Sequence, residues 1–165
     1  MLETLTHMLN RHIIVLLLAL SLLAGCSGIK TYQNTIYKNL HIKTETDSGS
    51  MFSKVRAAVD IYRVDAECKT EYEGTVQLKN PSVDVGVPSS RLSYLVFVFA
   101  RSGFLSSSSS SITYNTLLKP RVGYNYDIKV SYINDIYNVV IRETHPRNKK
   151  SREIELKSLN ACDSY

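Results

Sequence analysis

The chain contains no tryptophan, only three cysteines in 165 residues, and none of the short motifs that mark common catalytic sites. There is no HExxH and no paired Cys/His spacing, which leaves no sequence basis for a metal centre. A P-loop and a GxGxxG are both missing, so no phosphate or dinucleotide cradle is expected. GxSxG is absent as well, and the abundant serines fall in one low-complexity run instead of on a constrained turn. Only His41 and His145 lie beyond the first 25 residues, too far apart in sequence to pair as acid and base. These absences argue against an enzyme, and no cofactor is expected. The longest apolar run, Ile13 to Leu23, is about half of the roughly 20 residues that span a bilayer. A formal charge of +5 is too small to argue for nucleic acid.

What is present begins with that apolar run. Arg11 and His12 precede it and the small residues of Leu23-Ala24-Gly25-Cys26 end it, the layout of a cleaved secretory signal. Met8 opens a tidier leader than Met1, whose first seven residues add Glu3 and no base. Leu23-Ala24-Gly25-Cys26 resembles the lipobox of bacterial lipoproteins. The resemblance implies acylation of Cys26, a signal peptide over residues 1–25 and a mature chain starting at Cys26. Lipoproteins of this kind carry several acyl chains, enough for stable anchoring where one chain is marginal. Ser27 follows the cysteine, where an Asp marks retention in the inner membrane of Gram-negative cells. The resemblance therefore implies an outer-membrane anchor facing the periplasm.

Once Cys26 is assigned to lipid, Cys68 and Cys162 remain as a pair in an oxidising compartment, where disulfides persist. Their bridge would close a loop of about 95 residues, which chain-entropy models value at roughly 4–5 kcal/mol. The remaining length suits one domain with a proper core. Residues 26–38 read as a polar tether, and residues 39–165 as the folded domain.

Within the domain the hydrophobic period is two. Leu40, Ile42 and Thr44 alternate with His41, Lys43 and Glu45; Val55, Ala57, Val59 and Ile61 alternate with Lys54, Arg56, Ala58 and Asp60. Tyr72, Gly74, Val76 and Leu78 share a phase against Glu71, Glu73, Thr75 and Gln77. Such alternation marks strands with one buried face. Asn80-Pro81-Ser82 stops the third strand. Leu92 to Ala100 is apolar on both faces, as a central strand requires. Six serines, Ser106 to Ser111, read as an exposed loop before a strand of Ile112, Tyr114, Thr116 and Leu118. Tyr124, Tyr126, Ile128, Val130 and Tyr132 lead through an Asn134-Asp135 turn into Tyr137, Val139 and Ile141, a hairpin. Ile154 and Leu156 form a last strand, and no helical period follows the leader. About eight strands with short turns favour an all-β antiparallel sandwich.

Leu118, Pro120 and Tyr124, followed by the alternation of Tyr126, Ile128 and Val130, resemble the tyrosine corner of fibronectin type III and related immunoglobulin-like domains. The resemblance implies that the Tyr124 hydroxyl bonds backbone across the corner. It covers about a dozen residues, and the missing tryptophan departs from the type III pattern. The expectation is an immunoglobulin-like or transthyretin-like sandwich.

Two features suit recognition. The first is a basic loop joining the last two strands: Arg142, His145, Arg147, Lys149, Lys150 and Arg152. Clustered cations attract phosphates of lipid or polysaccharide, or an acidic protein face. The second is the set of eleven tyrosines. Most sit on core phases, but Tyr62 falls on the polar phase of its strand and is a binding candidate. The sequence reading is thus a lipid-anchored, non-catalytic binding or assembly module of a bacterial envelope. Its partners are the membrane, through the lipid, and an envelope protein or anionic envelope ligand. The alternative is a small envelope inhibitor, such as those that block lysozyme, or a ligand-binding lipoprotein. A basic inhibitor would face like-charge repulsion from basic lysozymes.

Overall fold

In a computed structural model of the chain, residues 28–46, 53–78, 81–103 and 109–165 are described. The leader and Cys26 lie outside them. The strands are β1 Leu40–Thr46, β2 Ser53–Val64, β3 Thr70–Leu78, β4 Ser82–Val85, β5 Ser93–Gly103, β6 Ser109–Leu118, β7 Asn125–Ile133, β8 Ile136–Thr144 and β9 Ser151–Ile154. They form two sheets, ordered β4-β1-β7-β8-β9 and β3-β2-β5-β6. The chain crosses between sheets after β1, β3, β4 and β6, which makes a sandwich of the alternating pattern.

Every pairing is antiparallel except β1 with β7, which run parallel from Leu40 opposite Tyr126 to Thr46 opposite Tyr132. Inward residues supply the core: Leu40 and Ile42, Ala57, Val59 and Ile61, Leu95, Phe97 and Phe99, Tyr126, Ile128 and Val130, Val139 and Ile141. The β7–β8 hairpin follows from its turn residues. Asn134 and Asp135 both adopt positive φ, 52° and 61°, as a two-residue turn of this hand requires. Their side chains tolerate that region, and Ile133 pairs directly with Ile136.

The structure departs from the sequence expectations in several places. The ninth strand is β4, four residues right after Pro81, too short to show an alternating pattern. Ser109, Ser110 and Ser111 begin β6 instead of ending a loop, because the ladder with β5 extends to them and is made by backbone groups whatever the side chain. Ser106–Ser108 lie outside the described residues. A 3-10 helix at Leu159–Ser164 follows β9, too short for helical periodicity to reveal. Over its described part, the expected tether packs against the sandwich. Tyr32 is buried with its hydroxyl on the Gly86 carbonyl at 2.8 Å, and Thr31 bridges Thr75. Asn39 is buried, its amide donating to the Val87 carbonyl and accepting from the Val87 N–H, both at 2.9 Å.

The tyrosine corner also differs. The hydroxyl that accepts from backbone is that of Tyr126, from the Arg121 N–H at 2.8 Å. Tyr124 instead lies between the Arg121 guanidinium, 4.1 Å from its ring centre, and the edge of His145 at 4.8 Å. The hydroxyl two residues further into β7 reaches the loop because its ring points into the core and ends beneath the corner.

Candidate functional site

Two regions gather chemistry on the finished fold. One is the solvent-facing side of the four-stranded sheet. In β3 the register slips by one residue next to Ile61 and Tyr62, so Gly74 pairs with Ile61 and Tyr72 with Tyr62. That bulge moves Tyr72 off the core phase that Val76 and Leu78 keep. Tyr72, Tyr62 and Tyr94 then sit directly across three adjacent strands, with ring centres 5.4 and 6.0 Å apart. Burial raises the Tyr62 and Tyr94 hydroxyls above their ordinary range, with the Asp60 carboxylate adding to the effect at Tyr62.

Beside the tyrosines runs an open groove of about 490 Å³, floored by Ala58, Val98 and Ala100 and rimmed by Arg56, Asp60 and Ile29. Thr75 donates to Asp60 and shares a hydrogen bond with Tyr72, fixing the polar rim. One end of this sheet face is closed off. There the disulfide between Cys68 and Cys162 pins the C-terminal segment, and Val64, Leu117 and Cys162 form a small second core.

The other region is the end of the five-stranded sheet. Glu143 continues the inward phase of Val139 and Ile141 and is buried, its side chain 4% exposed. Burial alone would raise its carboxyl. Hydrogen bonds from Tyr126 at 2.8 Å, Arg152 at 3.0 Å and Arg121 at 3.1 Å outweigh that and hold it below the usual carboxylate range. The Tyr126 hydroxyl is pushed up to about 12, mainly by burial. A cavity of about 310 Å³ adjoins this cluster, lined also by Lys119, Lys157 and Tyr165. The arrangement is a closed ion-pair network tying the β6–β7 loop, β7, β8 and β9 together. Each partner is spoken for, which suits stability more than proton transfer.

The structure divides the basic loop. Arg152 belongs to Glu143, and Arg142 lies 3.5 Å from Glu153. His145 packs edge-on against Tyr124, and its Nδ1 is buried without a hydrogen-bond partner among the described residues. Arg147, Lys149 and Lys150 remain exposed on the turn, which is closed by Lys149 N–H to the His145 carbonyl at 2.9 Å. Tyr62 stands on the other sheet, so the sequence candidates form two surfaces and not one site. Glu143 escaped the sequence reading, although an acid on the inward phase of an apolar strand is a signal for a buried charge with a partner.

Among the described residues, no group of three or more His, Cys, Asp or Glu is placed to hold a metal ion, and no helix is long and apolar enough to cross a membrane. No protein-family model and no curated protein matches the chain.

Proposed function

We propose that this chain is a non-catalytic binding or assembly module of the bacterial cell envelope. Lipid at Cys26 holds it, on the outer membrane facing the periplasm, and it engages an envelope protein or an anionic envelope ligand. The observation that carries the reading is the division of charge at the β8–β9 loop. Glu143 takes up Arg121 and Arg152, while Arg147, Lys149 and Lys150 stand exposed on a short ordered turn. Three exposed cations on one hydrogen-bonded turn suit recognition of an anionic surface. The tyrosine groove favours the second reading, a ligand-binding lipoprotein, since aromatic rings with polar rims suit small or polymeric ligands.

In-cell crosslinking of the lipidated chain, followed by capture and mass spectrometry, separates the two. One dominant envelope protein, lost when Arg147, Lys149 and Lys150 are changed to Glu, supports the assembly module. Recovery of lipid or polysaccharide alone, lost on Tyr62→Ala, supports the ligand binder. The anchor is tested by Cys26→Ala, which should release the protein from membranes; continued sedimentation with them rejects it.

A further inference from the structure

A sheet edge exposes unpaired backbone N–H and C=O groups, and folds protect such edges with short strands, charge, proline or a covering segment. Three of the four edges here use those devices. β4 is four residues long, starts right after Pro81 and is bonded by the Asn34 amide at the Asp84 carbonyl. β9 is four residues long and carries Arg152 and Glu153. β3 is covered at its middle by residues 30–32, with Thr75 bonding Lys30 and Tyr32 through backbone.

β6 is different. Leu117 turns its N–H away from β5 to the Lys157 carbonyl at 2.8 Å, so the C-terminal segment covers the strand there. By strand alternation, Ser109, Ser111, Thr113 and Asn115 point their N–H and C=O groups the same way. No backbone partner is present for these outward groups among the described residues. From Ser109 to Asn115 the edge has no charge, no proline and no irregularity in its pairing with β5. Ile112, at the middle of this stretch, is 42% exposed.

We propose that Ser109–Asn115 pairs antiparallel with the same segment of a second copy, about a two-fold axis through Ile112. That register sets Ser109 opposite Asn115 and Ser111 opposite Thr113, and forms about eight backbone hydrogen bonds from the outward groups. It places Ile112 against Ile112 in the close, non-hydrogen-bonded position, where β-branched pairs stabilise. Several observations select a second copy over a foreign strand. With the axis at Ile112, the covered residue Leu117 falls opposite a position before β6 begins, so the pairing stops where the C-terminal segment takes over. An uncharged strand facing itself desolvates no charge, although the chain as a whole is basic. An isologous pair consumes both edges and closes, so association ends at a dimer. The inference does not depend on the lipid anchor.

The test is cysteine crosslinking of the purified full chain in detergent micelles, read against the wild-type chain. Ile112→Cys should oxidise to a disulfide dimer at least about tenfold faster than Ser110→Cys, because residue 112 meets itself whereas residue 110 meets Tyr114. Thr113→Pro removes only an outward N–H, and Ile112→Lys sets two like charges at the axis. Each should return the chain to monomer in sedimentation while still unfolding cooperatively, at the thermal midpoint that the wild-type chain shows when diluted to monomer. Equal crosslinking at 110 and 112, or a wild-type monomer at every concentration, overturns the proposal. So does an Ile112→Cys adduct formed in cells with a different protein, which would assign the edge to a foreign strand.

Discussion

The two open sides of the sandwich are closed by the two ends of the described chain, and they are closed in different ways. On the β3–β4 side, residues 30–39 lie along the gap and become part of the core. Tyr32 and Asn39 are buried, and Asn34 accepts from the Gly86 N–H at 2.7 Å while its amide bonds Asp84. On the β6–β9 side, the chain leaves β9, passes Leu117 through Lys157 and ends in the 3-10 helix, which rests on the outer face of the sheet. The first closure is made of backbone approach and buried hydrogen bonds. The second is made of a covalent bond, the small apolar cluster of Val64 and Leu117 around it, and the Glu143 ion pairs. The N-terminal closure therefore needs a particular backbone, and the C-terminal one needs particular chemistry, an oxidised thiol pair and an ionised carboxylate.

The largest separation of the two comes from the disulfide. Cys162→Ala should lower unfolding free energy by about 4 kcal/mol, given the long loop that the bridge closes. Hydrogen exchange should rise at Leu117, whose N–H depends on the C-terminal segment. It should stay slow at Tyr32 and Val87 on the other side, once global unfolding is allowed for. Equal acceleration at both sides would mean that the two closures act as one cooperative unit and do not differ in this way.

The next effect tests the N-terminal side. Gly74 has φ of +147°, and a Cβ there would lie 2.6 Å from the Tyr32 backbone. Gly74→Ala should cost about 2–3 kcal/mol through strain and displacement of residues 30–32. Tyr32→Phe keeps the ring and loses only the bond to Gly86, and should cost about 1–2 kcal/mol. Urea unfolding reads both. A Gly74→Ala loss no larger than that of Tyr32→Phe would show that the close approach carries little.

This contrast also explains how far the sequence could be read. Strand alternation, the Asn134-Asp135 turn and the pairing of Cys68 with Cys162 are local or compositional signals, and the two-sheet architecture follows from them. The closures are not local. Nothing in Tyr32-Gln33-Asn34 marks it as docked, because its partners lie some fifty residues away, and its polar side chains resemble those of a solvated tether. Gly74 was a usable hint, since a glycine inside a strand often marks close backbone approach. The tyrosine row was hidden by a one-residue bulge that turns Tyr72 to the face of Tyr62 and Tyr94. At the basic loop, sequence shows six cationic or ionisable residues together, but only the fold reveals that Arg142 and Arg152 are already paired.

The smallest effect, and the most selective, is that of pH. The Tyr126 hydroxyl is raised to about 12 in the folded chain, so its contribution is complete below pH 10 and is lost as pH climbs through the folded value. Tyr32 is also raised by burial, so the alkaline loss falls on both closures and does not separate them. The acid side does. Glu143 is held below the usual carboxylate range, so its contribution is complete above that range and disappears as pH falls through the lowered folded value. The network it organises ties β9 to the sandwich, and residues 155–158 carry β9 into the C-terminal segment. Acidification should therefore loosen the C-terminal side by about 1–2 kcal/mol before the N-terminal one. Glu143→Gln should remove most of that acid dependence while leaving the exchange of Tyr32 and Val87 unchanged. Stability profiles that stay parallel in wild type and Glu143→Gln below pH 5 would place the acid sensitivity elsewhere, and the C-terminal closure would then rest on its disulfide alone.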